Sequence, residues 1–309
     1  ALRSLSSVFD LPSGLLSVRI DLHTHSNVSD GTDRPGDLVR RAGDAALDVV
    51  ALTDHDTVDG WPAARGAAGP ENVLVVPGVE ISTRLRGAGV HVLGYLLDPA
   101  YPPLADELAR VRGGRANRLT EMTLLLTKAG MPVDVADVLA VAGSASSIGR
   151  PHVADALVAK GYVADRAEAF TRLLSDGGPA YVPRYAPTTE ATVRLVRDAG
   201  GVTVLAHPWG RGSRRVLDSP TIAALAKNGL AGIEVDHEDH DLADRAALRQ
   251  IARTHGLVVT GSSDYHGTGK VGHTLGVNTT DPAEFERLLD LAHAAAAAAG
   301  RDVPQLGVA

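Results

Sequence analysis

Short apolar runs alternate with amphipathic stretches along most of the chain. The runs Val18–Leu22, Asp48–Thr53, Val73–Val76, His91–Leu96, Val202–Ala206, Gly232–Val235 and Leu257–Thr260 have the length and residue types of strands. Between several of them apolar positions recur at helical spacing, as in Asp37–Ala46, Thr188–Ala199, Pro220–Lys227 and Leu242–His255. Such alternation predicts an α/β fold with a parallel sheet and helices outside it. Seven strands over 309 residues suggest a barrel related to the eightfold one.

The rhythm breaks from about Tyr101 to Tyr181. Here helical patterns follow one another without strands: Leu104–Arg112, Arg115–Ala129, Val133–Val141, Pro151–Lys160 and Arg166–Leu174. This predicts a helical insertion after the fourth strand. The expected division is a discontinuous barrel over 18–100 and 182–281, a helical insertion over 101–181, and a C-terminal helix and tail over 282–309. The alanine run closing Pro282–Ala299 reads as plain helix.

Composition narrows the picture. Apolar residues make up 44% of the chain and aromatics only 4%, so Leu, Val and Ala must fill the core. A formal charge of −7 leaves no broad basic surface for duplex DNA. There is no cysteine, so disulfides and thiolate zinc sites are excluded and a cytoplasmic setting is permitted. The segment Ala1–Val18 has one Arg and no long apolar run, unlike a signal peptide. No stretch approaches the ~20 apolar residues of a membrane helix, so no membrane partner is expected.

The chemistry gathers at strand ends. The first strand runs into Asp21-Leu22-His23-Thr24-His25, whose two histidines share one side of an extended chain. Ser29-Asp30-Gly31 follows in a turn, and the second strand ends in Thr53-Asp54-His55-Asp56. Glu80 follows Pro77-Gly78, and His91 opens the fourth strand. Ala206-His207-Pro208 ends the fifth, and Ser263-Asp264-Tyr265-His266 ends the seventh with a second same-side pair. In parallel barrels loops from all strands converge at this rim. A single strand-end histidine is more often a hydrogen-bonded structural residue than a ligand. Two such pairs plus four more candidates at strand ends, besides Asp30 in its turn, point instead to divalent metal ions, which imidazole and carboxylate suit.

In order and spacing these motifs resemble the polymerase and histidinol phosphatase (PHP) superfamily over roughly Arg19 to Asn278. The nearest branch is the small bacterial enzymes acting on nucleoside 3′,5′-bisphosphates and on 5′ ends of RNA. That narrower resemblance rests on the helical insertion with Gly149-Arg150-Pro151-His152 and on Tyr181-Val182-Pro183-Arg184-Tyr185. The resemblance implies a distorted seven-stranded (β/α)7 barrel holding three divalent ions, Mn²⁺ first, with Fe²⁺, Zn²⁺ or Mg²⁺ as alternatives. It assigns one ion to His23, His25, Glu80 and Asp264. A second shares Glu80 and adds His91 and His207, and a third takes Asp30, His55 and His266.

The expected activity is hydrolysis of a phosphate ester by a hydroxide bridging two ions, with Glu80, His207, Asp264 and His240 at the reacting centre. His237 and His240 are candidates to meet the substrate or its leaving group; the alternative is a solvated acidic turn. Asp54 and Asp56 are expected to orient their neighbours. Arg115, Arg118, Arg150 and Arg184 are candidate phosphate contacts, which makes the insertion a substrate-selecting cap; a single Arg is more often a solvated charge. Arg211, Arg214 and Arg215 read as solvated loop charges, and His152 as a cap residue. The expected substrate is a small phosphorylated nucleotide or short 5′-phosphorylated RNA. Histidinol phosphate and a non-catalytic metal-binding module are the competing readings.

Overall fold

The computed structural model describes residues 18–71, 73–304 and 306, the side chains of Pro70, Glu71 and Arg211 excepted. The expectations for the N-terminal segment before Val18 and for the Arg211 side chain fall outside these residues.

Seven strands form one sheet in sequence order: β1 (Ile20–Thr24), β2 (Val49–Leu52), β3 (Leu74–Leu85), β4 (Ala88–Tyr95), β5 (Val202–Leu205), β6 (Gly232–Asp236) and β7 (Val258–Gly261). A parallel bridge between Thr24 and Tyr265 brings the two edges together and nearly closes the barrel. Helices surround it: α1 (Pro35–Asp44), α2 (Trp61–Glu71), α3 (Pro102–Lys128), α4 (Val135–Ala142), α5 (Arg150–Ala159), α6 (Arg166–Ala169), α7 (Thr189–Asp198), α8 (Ser219–Lys227), α9 (Leu242–His255) and α10 (Pro282–Ala299). Side-chain caps set several starts: Thr188, Asp218, Asp241 and Asp281 accept from backbone N–H groups of α7, α8, α9 and α10. Among the described residues no helix is long and apolar enough to cross a membrane.

Two differences from the expected pattern bear on the site. The first is that β4 runs antiparallel to both β3 and β5. Arg86 and Gly87, both at positive φ, make the two-residue hairpin that reverses the chain. The third strand is therefore much longer than Val73–Val76, and the fourth begins at Ala88, three residues before His91. Gly78 does not end the strand as a turn would. Its missing side chain admits Thr53 and Tyr95, and Trp61 Nε1 donates to its carbonyl at 2.7 Å. An antiparallel strand starts at the rim where the parallel strands finish, so His91, paired in register with Ser82, stands at that rim.

The second is that α3 is continuous where two helices were expected. Gly113 and Gly114 do not break it. A Cβ at Gly114 would lie 3.3 Å from Tyr185 Cβ, so the glycine lets the returning chain pass close across the helix. Beyond β4, Leu119, Met122, Leu126, Val138, Val153, Leu157 and Leu174 form an apolar cluster among α3, α4, α5 and the π-helical turn Phe170–Leu174. The barrel interior is packed by Ile20, Leu22, Val49, Leu74, Leu93, Tyr95, Val204 and Val258, with Phe285 and Leu288 of α10 against it.

Candidate metal centre

All nine residues picked out as ligand candidates come together at the rim. His23 is the residue before the last of β1, and His25 lies just beyond the strand, its N–H bonded to the Tyr265 carbonyl at 2.8 Å. Their Nε2 atoms lie 3.0 Å apart. Both approach the same Glu80 oxygen, Oε2, at 3.2 Å and 3.1 Å, and both face Asp264 Oδ1 at 3.5 Å and 3.3 Å. His55 Nδ1 is 3.2 Å from Oε2 as well. The other Glu80 oxygen, Oε1, faces His91 Nδ1 at 2.6 Å and His207 Nε2 at 3.1 Å. On the far side Asp30 meets His266 Nε2 at 3.3 Å and His55 Nε2 at 3.6 Å.

Every one of these side chains is buried except that of His91, which is 19% exposed. Three sets have ligand atoms close enough to hold an ion: His23, His25, Glu80 and Asp264; His25, Asp30, His55 and His266; and His55, Glu80 and His91. The donor set suits divalent ions of intermediate softness. Buried atoms without hydrogen-bond partners agree with that: neither His25 Nδ1 nor His55 Nδ1 has one. Burial would push the carboxyls of Glu80, Asp30 and Asp264 up. The surrounding histidines, with Lys270 at Asp264, overcome it and hold all three well below the usual carboxylate range.

Backbone strain marks the same place. Asp56, His207 and Asp264 all have left-handed φ, of 57°, 28° and 51°. Such non-glycine conformations cost on the order of 1–3 kcal/mol each and persist where the surroundings over-determine them.

The carboxylates beside the ligands hold loops. Asp54 accepts from Ser26 N and Oγ and from Ser29 Oγ, which folds the turn presenting Asp30. Asp56 accepts from Ser82 N and Oγ and from Arg115 Nε at 2.7 Å. His237 and His240 have both ring nitrogens engaged. His237 Nδ1 accepts from Asp239 N at 3.0 Å, and its Nε2 lies 3.3 Å from Asp264 Oδ2. His240 accepts from Trp209 N at 3.2 Å and donates to the Val235 carbonyl at 2.9 Å; burial pushes its pKa down. This geometry leaves His240 no ring nitrogen for a leaving group.

The four arginines also converge, although they span Arg115 to Arg184. Arg115 is paired with Asp56 and donates to Ser82 Oγ. Its guanidinium packs against Gly149, where a side chain would collide with it. Arg150 pairs with Asp176 at 2.7 Å, donates to the Leu174 carbonyl, and lies near the rings of Phe170 and Tyr181. Arg118 is 7% exposed, and its hydrogen bond to the Val182 carbonyl is long at 3.4 Å. Its Nε has no partner. Burial, then Arg184, Arg115 and Arg150, push the Arg118 pKa down to about 8. Burial and the neighbouring Arg115 likewise push Arg184 to about 9. Among the described residues Arg118 has no carboxylate partner, and Arg184 feels only Asp56, which is already paired with Arg115. Arg214 instead pairs with Asp244 and stacks on Trp209. His152 caps α5 by accepting from Gly149 N.

Sequence reasoning missed four residues here. Glu234 on β6 contacts His23 and His207. Lys270 Nζ lies 2.5 Å from Asp264 Oδ2. Arg166 is bidentate to Asp155 and donates to the Asp30 carbonyl at 2.9 Å, tying α6 to the rim. His273 forms a further close group with His237 and Asp264. Glu234 lies mid-strand and is recognised only by its distant partners; Lys270, Arg166 and His273 lie in loops and a short helix with no sequence signal.

A PHP domain model matches residues 21–131. The 3′,5′-nucleoside bisphosphate phosphatase of Chromobacterium violaceum is 35% identical, covering 83% of this chain and 90% of its own. A phosphoribosyl 1,2-cyclic phosphate 1,2-diphosphodiesterase of Eggerthella lenta is also 35% identical, over 82% and 96%. The 5′-3′ exoribonuclease Rnm of Salmonella typhimurium is 32% identical, over 81% and 86%. Among solved structures, one from Bifidobacterium adolescentis described as a metal-dependent phosphoesterase superposes with a TM-score of 0.84 at 36% identity, covering 88% of this chain and 96% of that one. An amidohydrolase from Chromobacterium violaceum, solved with sulfate and no metal, gives 0.81 at 33%, over 89% and 97%.

Proposed function

This chain belongs to the PHP domain family of metal-dependent phosphoesterases, and we propose that its own substrate is a ribose-based compound carrying two phosphate groups. A nucleoside 3′,5′-bisphosphate fits this description, and so does a short RNA with a 5′-phosphate. The reacting phosphate meets the metal centre, and the second meets the arginines.

The observation that carries the reading is the charge imbalance beside the rim. Arg115, Arg118, Arg150 and Arg184 form one group that outnumbers its acids: among the described residues Arg118 has no carboxylate partner, and Arg184 shares Asp56 with Arg115. A buried guanidinium without a counter-charge is costly, and a phosphate supplies that charge with matching geometry. The group adjoins the centre through Asp56, next to the ligand candidate His55. The named activities of the relatives, on a nucleoside bisphosphate, a phosphoribosyl cyclic phosphate and RNA, support the same chemistry. Histidinol phosphate gives the arginines no second phosphate to hold.

At the centre, His23, His25, Asp30, His55, Glu80, His91, His207, Asp264 and His266 would hold three divalent ions, Mn²⁺ foremost. Bound ions of this kind supply Lewis acidity and lower the pKa of water. The split of Glu80 between two sets of histidines supports a bridging role for it. His237 and His240, with both ring nitrogens engaged, act by holding Asp264 and the loop after His207 in place.

Steady-state kinetics on adenosine 3′,5′-bisphosphate, a 5′-phosphorylated trinucleotide, AMP, histidinol phosphate and an aryl phosphate test the proposal. The first two should show the highest kcat/KM, mainly through KM. Preference for histidinol phosphate, or equal kcat/KM on all five, would remove the two-phosphate reading.

A further inference from the structure

Glu234 sits at the middle of β6 and is fully buried. It belongs to none of the ligand sets described above. Its oxygens divide their work between two other strands. Oε1 is 3.1 Å from His23 Nδ1 and accepts from Ser262 Oγ, two residues before Asp264. Oε2 accepts from the backbone N–H of His207 at 2.7 Å. One carboxylate thus touches a ligand candidate from β1, the backbone of another after β5, and the chain leading to a third after β7.

We propose that Glu234 is the positioning residue of the metal centre: it fixes the proton of His23 on Nδ1, bares Nε2 toward the ligand cluster, and pins His207 in its left-handed backbone conformation. Two observations support this. His23 Nε2 is the ring atom directed at the ligands, within 3.0 Å of His25 Nε2 and 3.2 Å of Glu80 Oε2. His207 has φ of 28°, which a non-glycine residue keeps only when held. A histidine ligand whose other nitrogen donates to a carboxylate is fixed in tautomer and ring orientation, and its basicity rises.

The substitution Glu234→Gln isolates this role because shape is kept and charge lost. With its amide NH₂ toward His207 N, two donors face each other. With NH₂ toward His23, the ring must accept at Nδ1, and its proton moves to Nε2, where the ligand lone pair is required. Either orientation spoils one ligand.

The proposal rests on the metal centre, and its test separates the two. Metal-free wild type and Glu234→Gln are titrated with Mn²⁺, and free ion is followed by electron paramagnetic resonance. Wild type should take up more than one ion; no uptake overturns both the centre and the proposal. Glu234→Gln should bind about ten- to a hundredfold more weakly, with the melting temperature of the metal-free protein retained. Equal affinity with normal wild-type loading overturns the positioning role alone. A second measurement needs no variant. In ¹⁵N spectra of zinc-loaded wild type, His23 should carry its proton on Nδ1 and the metal on Nε2. Metal on Nδ1 would overturn the proposal even if Glu234→Gln failed to fold.

Discussion

The metal centre and the arginine group lie side by side but handle buried charge in opposite ways. At the rim, carboxylates and imidazoles answer one another at short range, and the surrounding histidines, with Lys270 at Asp264, hold the carboxyls of Asp30, Glu80 and Asp264 well below the usual range against their burial. In the arginine group like charges crowd together, and Arg118 and Arg184 are pushed down to about 8 and about 9. Such an excess is incomplete without an anion. On the proposed reading, the rim breaks the bond and the arginines choose the substrate. Variants on the two sides should therefore fail differently.

The largest effect is expected at Glu80, whose two side-chain oxygens face different sets of histidine rings. Glu80→Gln weakens the charge that both sets share. Weaker holding of the ions would lose the Lewis acidity they supply, a cost of several kcal/mol, on the order of a thousandfold in kcat. His25→Ala should follow the same pattern with a smaller loss. The defining feature is uniformity: adenosine 3′,5′-bisphosphate and an aryl phosphate should suffer alike. Steady-state rates, with metal content by elemental analysis, check this. A Glu80→Gln enzyme with near-normal turnover on either substrate would end the bridging assignment.

That uniformity has a counterpart in how readable the two regions were. The ligand candidates stood out because strand geometry forces spacing: His23 and His25, like Asp264 and His266, must be two apart to share a side. Strand ends also concentrate function at one rim. The arginines obey no such rule. Arg115 and Arg118 share a helix, but Arg150 and Arg184 reach them only through tertiary packing, such as the passage of Tyr185 over Gly114. Their types could be singled out from sequence; which of them is paired could not. Asp56 was expected only to orient neighbours, yet it ties Arg115 to the rim. The hairpin at Arg86 and Gly87 was missed for a local reason. Its φ > 0 positions are filled by Arg-Gly rather than the usual Asn-Gly or Asp-Gly, so the reversal carried no signal. Glu234 was passed over because a buried strand carboxylate is recognised by its partners, which are 211 and 27 residues away.

Arg118 should show the next effect, and it should split two properties. A charge-assisted contact to the second phosphate is worth roughly 1.5–3 kcal/mol, or about ten- to a hundredfold. Arg118→Met should raise KM for the bisphosphate by about that factor and leave aryl phosphate hydrolysis nearly unchanged. Removing a buried, partnerless cation should also leave the ligand-free protein as stable or more so, by up to ~4 kcal/mol. Thermal melts and two-substrate kinetics read both. Equal kinetic losses on the two substrates would move Arg118 to the reacting phosphate, and a marked fall in melting temperature would make it a structural residue.

The smallest effects are expected where the arginine group touches an acid that competes with substrate. Arg150 spends one nitrogen on Asp176 and the Leu174 carbonyl, and Asp176 is largely exposed. An exposed pair of this kind holds only about 0.2–1 kcal/mol. Arg150→Ala should therefore cost bisphosphate use about tenfold, at the lower end of the range given for Arg118, because part of its charge is already answered. Asp176→Ala should act in the opposite sense. It frees the guanidinium and removes a negative charge beside it, so KM for the bisphosphate should fall by up to about fivefold, the equivalent of that pair. Neither change should alter kcat on an aryl phosphate, which has nothing for Arg150 to hold. The effect should shrink with added salt, since exposed charges are screened. If Asp176→Ala raised KM instead, the pair would be orienting Arg150 for the phosphate rather than competing with it. Arg150→Ala and Asp176→Ala would then impair the bisphosphate together.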